Sequence, residues 1–160
     1  MFINFSDIPN HQNLFLDYMY EFENVKDYYK YSFRNKEQYS SIFKNISESR
    51  KNKQLNLASI LNNQYSALQN VSVKTSRNIQ LLEKEKTIAV VTGQQLGILG
   101  GPLYTLFKII TAIRLSNQLT ERYDEFKFVP VFWLEADDHD FNEVRSINLL
   151  DNENQILNLG

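Results

Sequence analysis

Thr87-Ile-Ala-Val-Val-Thr92, then Gly93-Gln-Gln-Leu-Gly-Ile-Leu-Gly-Gly-Pro102, then Leu103 to Arg122, then Phe126-Lys-Phe-Val-Pro-Val-Phe-Trp-Leu134 decide the fold. The first run is short, apolar and rich in β-branched residues, the pattern of a buried strand. The second is a glycine-rich turn ending in a proline suited to a first helical position, where the missing N–H is no loss. Leu103, Leu106, Phe107, Ile110, Ile113 and Leu119 then mark one face of a helix reaching Arg122. The last run reads as a second apolar strand, with Pro130 tolerated near its start or at an edge. Strand, turn, helix and strand form a βαβ unit, and the right-handed crossover rule makes the strands parallel neighbours. The fold class is therefore α/β.

The flanks of this unit differ. Downstream, Ser146-Ile-Asn-Leu-Leu150 and Gln155-Ile-Leu-Asn-Leu159 bracket Asp-Asn-Glu-Asn and predict a hairpin. A two-stranded parallel sheet cannot stand alone, so residues 87–160 are expected to be the start of a larger core domain, truncated at Gly160. Upstream, residues 1–86 contain no glycine, and 12 lysines and arginines against 9 acids; residues 87–160 hold 5 against 10. A long glycine-free stretch favours helices, because turns requiring positive φ are scarce in it. The strongest helical pattern runs from Leu55 to Leu82, through Leu57, Ile60, Leu61, Leu68 and Ile79. Leu14, Phe15, Tyr18, Phe22 and Val25 suggest a second, short amphipathic helix. Residues 1–86 are thus expected to form a helical N-terminal segment, and to serve as a helical layer or partner surface.

Composition narrows the function. The 160 residues carry 17 basic and 19 acidic side chains, which argues against a nucleic-acid binder working through a basic surface. With no cysteine and two histidines, His11 and His139, a thiolate nucleophile, a cysteine-ligated metal and a three-histidine metal site are excluded within this chain. No apolar run approaches the ~20 residues of a membrane span, and Met1-Phe-Ile-Asn-Phe-Ser-Asp7 lacks the pattern of a signal peptide. A cytoplasmic protein without membrane partners is the expectation.

Two constellations carry chemistry. The first is Thr92–Pro102 with the helix it opens. Open α/β sheets bind ligands beyond the carboxyl ends of their strands, where this turn lies. Gly93 and Gly97 let backbone N–H groups approach a ligand, Gly100 and Gly101 leave the helix start uncluttered, and the positive helix end can hold a phosphate or carboxylate. Gln94 and Gln95 at a strand end favour a ligand over a plain packing turn. Lys108 reaches back only if the helix starts late or the ligand is long. The spacing matches neither G-x-G-x-x-G nor G-x-x-x-x-G-K-[ST].

The second is Trp133-Leu-Glu135-Ala-Asp137-Asp138-His139-Asp140-Phe-Asn-Glu143, five acids and a histidine without a basic residue. It follows the second strand and so faces the same crevice. The acids and His139 could ligate a divalent metal, as in a metal-dependent hydrolase or phosphoesterase. His139 held by Asp138 or Asp140 could instead act as a general base. A third reading is a solvated turn capping a helix, with Asp140 and Glu143 as a capping box. The numerous tyrosines and phenylalanines, among them Tyr28, Tyr29, Tyr31 and Phe33, read more readily as core or interface than as a stacking platform.

Thr92-Gly-Gln-Gln-Leu-Gly-Ile-Leu-Gly-Gly-Pro-Leu-Tyr-Thr-Leu-Phe-Lys108 and Val129-Pro-Val-Phe-Trp-Leu-Glu-Ala-Asp-Asp-His-Asp-Phe141 together closely resemble the cysteine-adding enzymes of bacillithiol biosynthesis. Leu57, Ile60, Leu61 and Gln64 before Asn78-Ile-Gln-Leu-Leu82 fit that family more loosely. Leu96 and Asp137 depart from its pattern, where proline and glutamate are expected.

The resemblance implies a Rossmann-like core of the nucleotidylyl-transferase kind, a long coiled coil, and a homodimer. Family members are much longer, so this chain alone is expected to be inactive. The implied reaction adds cysteine to the amine of glucosaminyl-malate. Thr92, Gly93, Gln94, Gln95, Gly100, Gly101, Tyr104, Lys108, Trp133 and Glu135 are the substrate-binding candidates. His139, Asp138 and Asp140 are the catalytic candidates, and no metal is assigned. Amide formation needs an activated carboxylate; in the absence of an H-x-G-H motif, ATP or another activating nucleotide stays open as co-substrate.

Overall fold

A computed structural model describes residues 4–10, 12–51, 56–68, 70–97, 100–135 and 145–160. They form two compact units, Met1–Ile42 and Phe43–Gly160.

The first unit holds helix α1 (Asn13–Tyr20) and short 3-10 turns. The amphipathic pattern expected to run on to Val25 stops being α-helical at Tyr20, and Phe22–Asn24 form a 3-10 turn instead. Asn24 Nδ2 donates to Asp17 Oδ1 at 3.0 Å and pins that turn against the helix. Aromatic rings supply most of the packing. Tyr18 lies 4.8 Å from Tyr29 and 5.5 Å from Phe33, centroid to centroid, and Phe5 meets Phe15 edge-on at 5.2 Å. Arg34 donates to Met19 O at 2.9 Å while lying over the Tyr20 and Phe33 rings. Tyr18, Tyr29 and Phe33 therefore pack on one another, whereas Tyr28 is 84% exposed.

In the second unit, the single helical pattern expected over Leu55–Leu82 is two helices, α3 (Leu57–Ser66) and α4 (Val73–Leu82). The break has a local cause. Asn70 takes φ +76°, which ends helical continuation, and Ser72 Oγ accepts the Thr75 N–H at 3.1 Å, capping α4. Helix α2 (Tyr39–Lys51) leads into this unit.

The βαβ unit is present as β1 (Thr87–Gln95), α5 (Leu103–Arg122) and β2 (Lys127–Glu135), with α4 and α5 both packed on the strands. The strands are parallel, in register from Thr87 opposite Lys127 to Gln95 opposite Glu135. Thr87 and Ile88 are both buried, as are Phe128 and Val129. Successive strand residues point to opposite faces, so both faces of the sheet are covered at this end. Phe43 anchors the core there, with its ring 4.8 Å from Phe128 and 5.1 Å from Tyr123. The other end is open: Val91 is 62% exposed and Trp133 63%.

Helix α5 lies on the sheet through small residues, Thr105, Ala112 and Ser116, all buried. Of the stripe that reveals the helix in the sequence, Leu103, Leu106, Phe107, Ile110 and Ile113 are 42–67% exposed, and Leu119 is half-buried. The small face wins the sheet because it lets the helix axis approach closely, whereas leucine and phenylalanine there would hold the layers apart.

Strands β3 (Ile147–Leu150) and β4 (Ile156–Leu159) form the expected antiparallel hairpin, a sheet separate from β1 and β2. Asp151 Oδ1 accepts the N–H groups of Glu153 and Gln155, each at 2.8 Å, which sets the turn. Among the described residues no helix is long and apolar enough to cross a membrane.

Candidate functional site

The turn expected over Thr92–Pro102 is shorter than the sequence suggests. Thr92, Gly93, Gln94 and Gln95 belong to β1, because β2 continues to Glu135 and offers backbone partners that far. Gly93 therefore serves the sheet. A Cβ there would sit 2.5 Å from Trp133 O and 3.1 Å from Trp133 Cβ, so it is the neighbouring strand, and not a ligand, that requires glycine. Beyond the strand, Gly100 N–H donates to Gly97 O at 3.2 Å, and Gly100 and Gly101 take φ +92° and +82°. The turn folds back so closely that a Cβ on Gly97 would lie 2.5 Å from Gly101 Cα. Pro102 caps α5 from outside with an extended ψ of 155°, one position before the first helical place expected for it.

This geometry gathers several candidate residues at the carboxyl end of β1. Lys108 reaches back: its Nζ donates to Gln94 Oε1 at 2.8 Å and to Gly93 O at 3.3 Å. The condition of a late helix start is unnecessary, since the flexible lysine stem spans the distance from the second turn of α5. The same ammonium lies 5.0 Å from the centre of the Tyr104 ring. Gln94 Nε2 donates to Gln95 Oε1 at 3.1 Å, so Gln94 turns its oxygen to the lysine. Across the sheet, Gly93 is in register with Trp133 and Gln95 with Glu135, and Trp133 Nε1 donates to Glu135 Oε2 at 3.0 Å. Gly100 and Gly101 stand at the entrance to α5, before Tyr104.

A groove of about 420 Å³ runs between β1 and α5, bordered by Val90, Val91, Thr92, Tyr104, Phe107 and Lys108 among others. A smaller cavity of about 150 Å³, also bordered by Thr92, lies toward Pro130 and Phe132. The larger groove is open to solvent, with mostly apolar walls and Thr92, Tyr104, Lys108 and Thr111 as its polar members. Sequence reasoning missed the groove because it joins residues of two elements at spacings no motif describes. It also missed Thr105, whose hydroxyl is buried without a hydrogen-bond partner beneath the glycine turn, 3.4 Å from where a Gly101 Cβ would stand.

His139, Asp138 and Asp140 lie outside the described residues, as does His11. In the chain they follow Glu135, the last residue of β2, within five positions. Among the described residues no three histidine or acidic side chains converge as a metal site would require.

Residues 1–159 match the family model for bacillithiol biosynthesis BshC, N-terminal Rossmann-like domain. Three curated proteins, each carrying the name "Putative cysteine ligase BshC", show the similarity directly. The chain is 41% identical over 140 residues to that of Christiangramia forsetii, covering 85% of this chain and 25% of the relative. It is 37% identical over 137 residues to that of Flavobacterium psychrophilum, covering 84% and 25%. To that of Natranaerobius thermophilus it is 36% identical over 149 residues, covering 90% and 27%. The chain therefore spans about a quarter of the length of these relatives.

Proposed function

Since the chain belongs to the bacillithiol-biosynthesis BshC family, through its N-terminal Rossmann-like domain, we propose that it is part of a ligase that joins cysteine to the amine of glucosaminyl-malate. The family match across residues 1–159 is the observation that carries this reading. The activity is assigned to a polypeptide of the relatives' length and not to residues 1–160 alone. In that assignment residues 1–86 are a helical segment and residues 87–160 begin the Rossmann-like core. The homodimer, the coiled coil and a cytoplasmic setting implied by the family resemblance belong to the same proposal.

The reaction forms an amide between the cysteine carboxyl group and the sugar amine. A carboxylate is a poor acylating agent, so its carbon must be activated before the amine attacks. The amine must arrive unprotonated, and the proton it loses needs an acceptor. We assign that acceptor to His139, with Asp138 and Asp140 fixing its ring and stabilising its protonated form. The end of the sheet supplies positioning: Gln94, Gln95 and Tyr104 orient substrate, with Thr92 as a wall of the groove, Trp133 beside Gly93 and Glu135 opposite Gln95. The Gly100–Gly101 turn leaves the α5 entrance open to a ligand's anionic end.

His139→Ala in the full-length enzyme tests the assignment. Turnover should fall by about a hundredfold or more, the usual contribution of a general base, with the far-UV circular dichroism unchanged. Undiminished turnover removes His139 from the mechanism.

A further inference from the structure

Lys108 is the only basic residue between Lys86 and Arg114, and none occurs between Lys127 and Arg145. Lys108 is thus the one lysine or arginine in the stretches of sequence that carry the strand ends and the α5 entrance, residues 87–113 and 128–144. Its partners are all neutral: the Gln94 side-chain oxygen, the Gly93 carbonyl and the face of the Tyr104 ring. The ion pairs among the described residues, Lys26 with Glu23 and Lys86 with Glu125, lie elsewhere. An ammonium held by carbonyl oxygens keeps its full charge for an incoming anion, and exchanging a neutral acceptor for a carboxylate strengthens its hydrogen bond. Residues 87–160 hold twice as many acids as bases, and Lys108 offsets that surplus locally for an anion approaching here. The 420 Å³ groove beside Lys108 is large enough for a small organic acid.

From this, and resting on the ligase reading above, we infer that Lys108 binds a carboxylate of the malyl group, and that its bond to Gln94 holds the ammonium in place until substrate arrives. The cysteine carboxylate is the weaker candidate for chemical reasons. It must lose its charge on activation, and a fixed cation paired with it would stabilise the unreacted state and slow the step. The malyl carboxylates keep their charge from binding to release. A cation paired with them adds affinity without opposing the chemistry. When the carboxylate takes Lys108, the Gln94 oxygen is freed to accept a hydrogen bond from the sugar.

The test uses the full-length enzyme and two readouts. In steady-state kinetics Lys108→Gln should raise KM for glucosaminyl-malate by about tenfold or more, the cost of a lost charge-assisted hydrogen bond. The values of kcat and of KM for cysteine should stay within about twofold, and Lys108→Arg should recover most of the loss. With the malyl group supplied as its dimethyl ester, wild type and Lys108→Gln should have equal KM. An equal penalty on acid and ester overturns the inference and leaves Lys108 as a tether between α5 and β1. A penalty on the cysteine KM alone overturns it in favour of the other carboxylate.

Calorimetric titration with L-malate is the second readout, and it requires no turnover. Wild type should bind, Lys108→Gln should bind more weakly by the same factor, and added salt should weaken wild-type binding. Absent or equal binding overturns the inference whatever the turnover assay shows. If malate binding depends on Lys108 but no cysteine is added, the ligase reading fails and the carboxylate site stands.

Discussion

Arg50 joins three elements through two carbonyls and provides the most direct test of the packing. From α2 its Nη1 donates to Thr87 O and its Nη2 to Leu82 O, each at 2.5 Å. Leu82 is the last residue of α4, so its carbonyl is one of the four that a helix leaves without an internal partner. Thr87 opens β1 and is 1% exposed. Arg50→Met keeps the apolar stem and removes only the guanidinium. A hydrogen bond to a charged donor contributes about 1.5–3 kcal/mol. Two such bonds set an upper range of about 3–6 kcal/mol, and partial access of water to this half-buried group brings the expected loss to about 2–4 kcal/mol. Arg50→Lys, restoring one bond at most, should lose about half as much. Urea unfolding followed by far-UV circular dichroism measures both, with the slope against denaturant unchanged. A loss under about 0.5 kcal/mol for Arg50→Met would refute the view that this side chain fixes the start of β1.

Two further outcomes follow from the same sheet. Gly93→Ala places a methyl group 2.5 Å from Trp133 O, so β1 and β2 must separate or the chain must shift; the expected destabilisation is about 1–3 kcal/mol, with a change in the emission of Trp133, the chain's single tryptophan. Lys86 donates to Glu125 at 2.8 Å just ahead of the two strands, and this hydrogen bond, then the lysine charge, holds the Glu125 carboxyl below its ordinary range. A depressed carboxylate pKa stabilises the fold above the unfolded value and is lost as pH falls through the folded one. The melting temperature should therefore fall less steeply with acidification in Glu125→Gln than in wild type over about pH 5 to 3, and less so at high salt; identical pH profiles would show that the pair does not contribute.

The βαβ unit was legible because its signals are local. A β-branched run, a glycine-rich turn and a helical period each arise within a few residues, and their order dictates parallel strands. The hairpin at the end of the chain was legible for the same reason. Ser72 was a readable helix start that the regular spacing of leucines obscured: Leu61, Leu68 and Ile79 keep a helical rhythm across a real break. The family was legible in two motifs; the chemistry expected of His139, Asp138 and Asp140 falls on residues outside the described ones.

Other features depend on what the chain brings near from a distance. Whether Gly93 serves a ligand or a strand depended on Trp133, 40 positions later, lying beside it. Which face of α5 meets the sheet was decided by how closely two layers can approach, and there small residues prevailed over the apolar stripe that announces the helix. Arg50 lies 37 residues from Thr87, and no periodicity connects them. The sequence by itself determined the order and type of the elements from β1 to β4 and the family to which they belong, since these rest on backbone preferences and short motifs. Only the tertiary structure decided that Lys108 meets Gln94 at the strand end, because the reach of one flexible side chain is set by the packing of the helix that carries it.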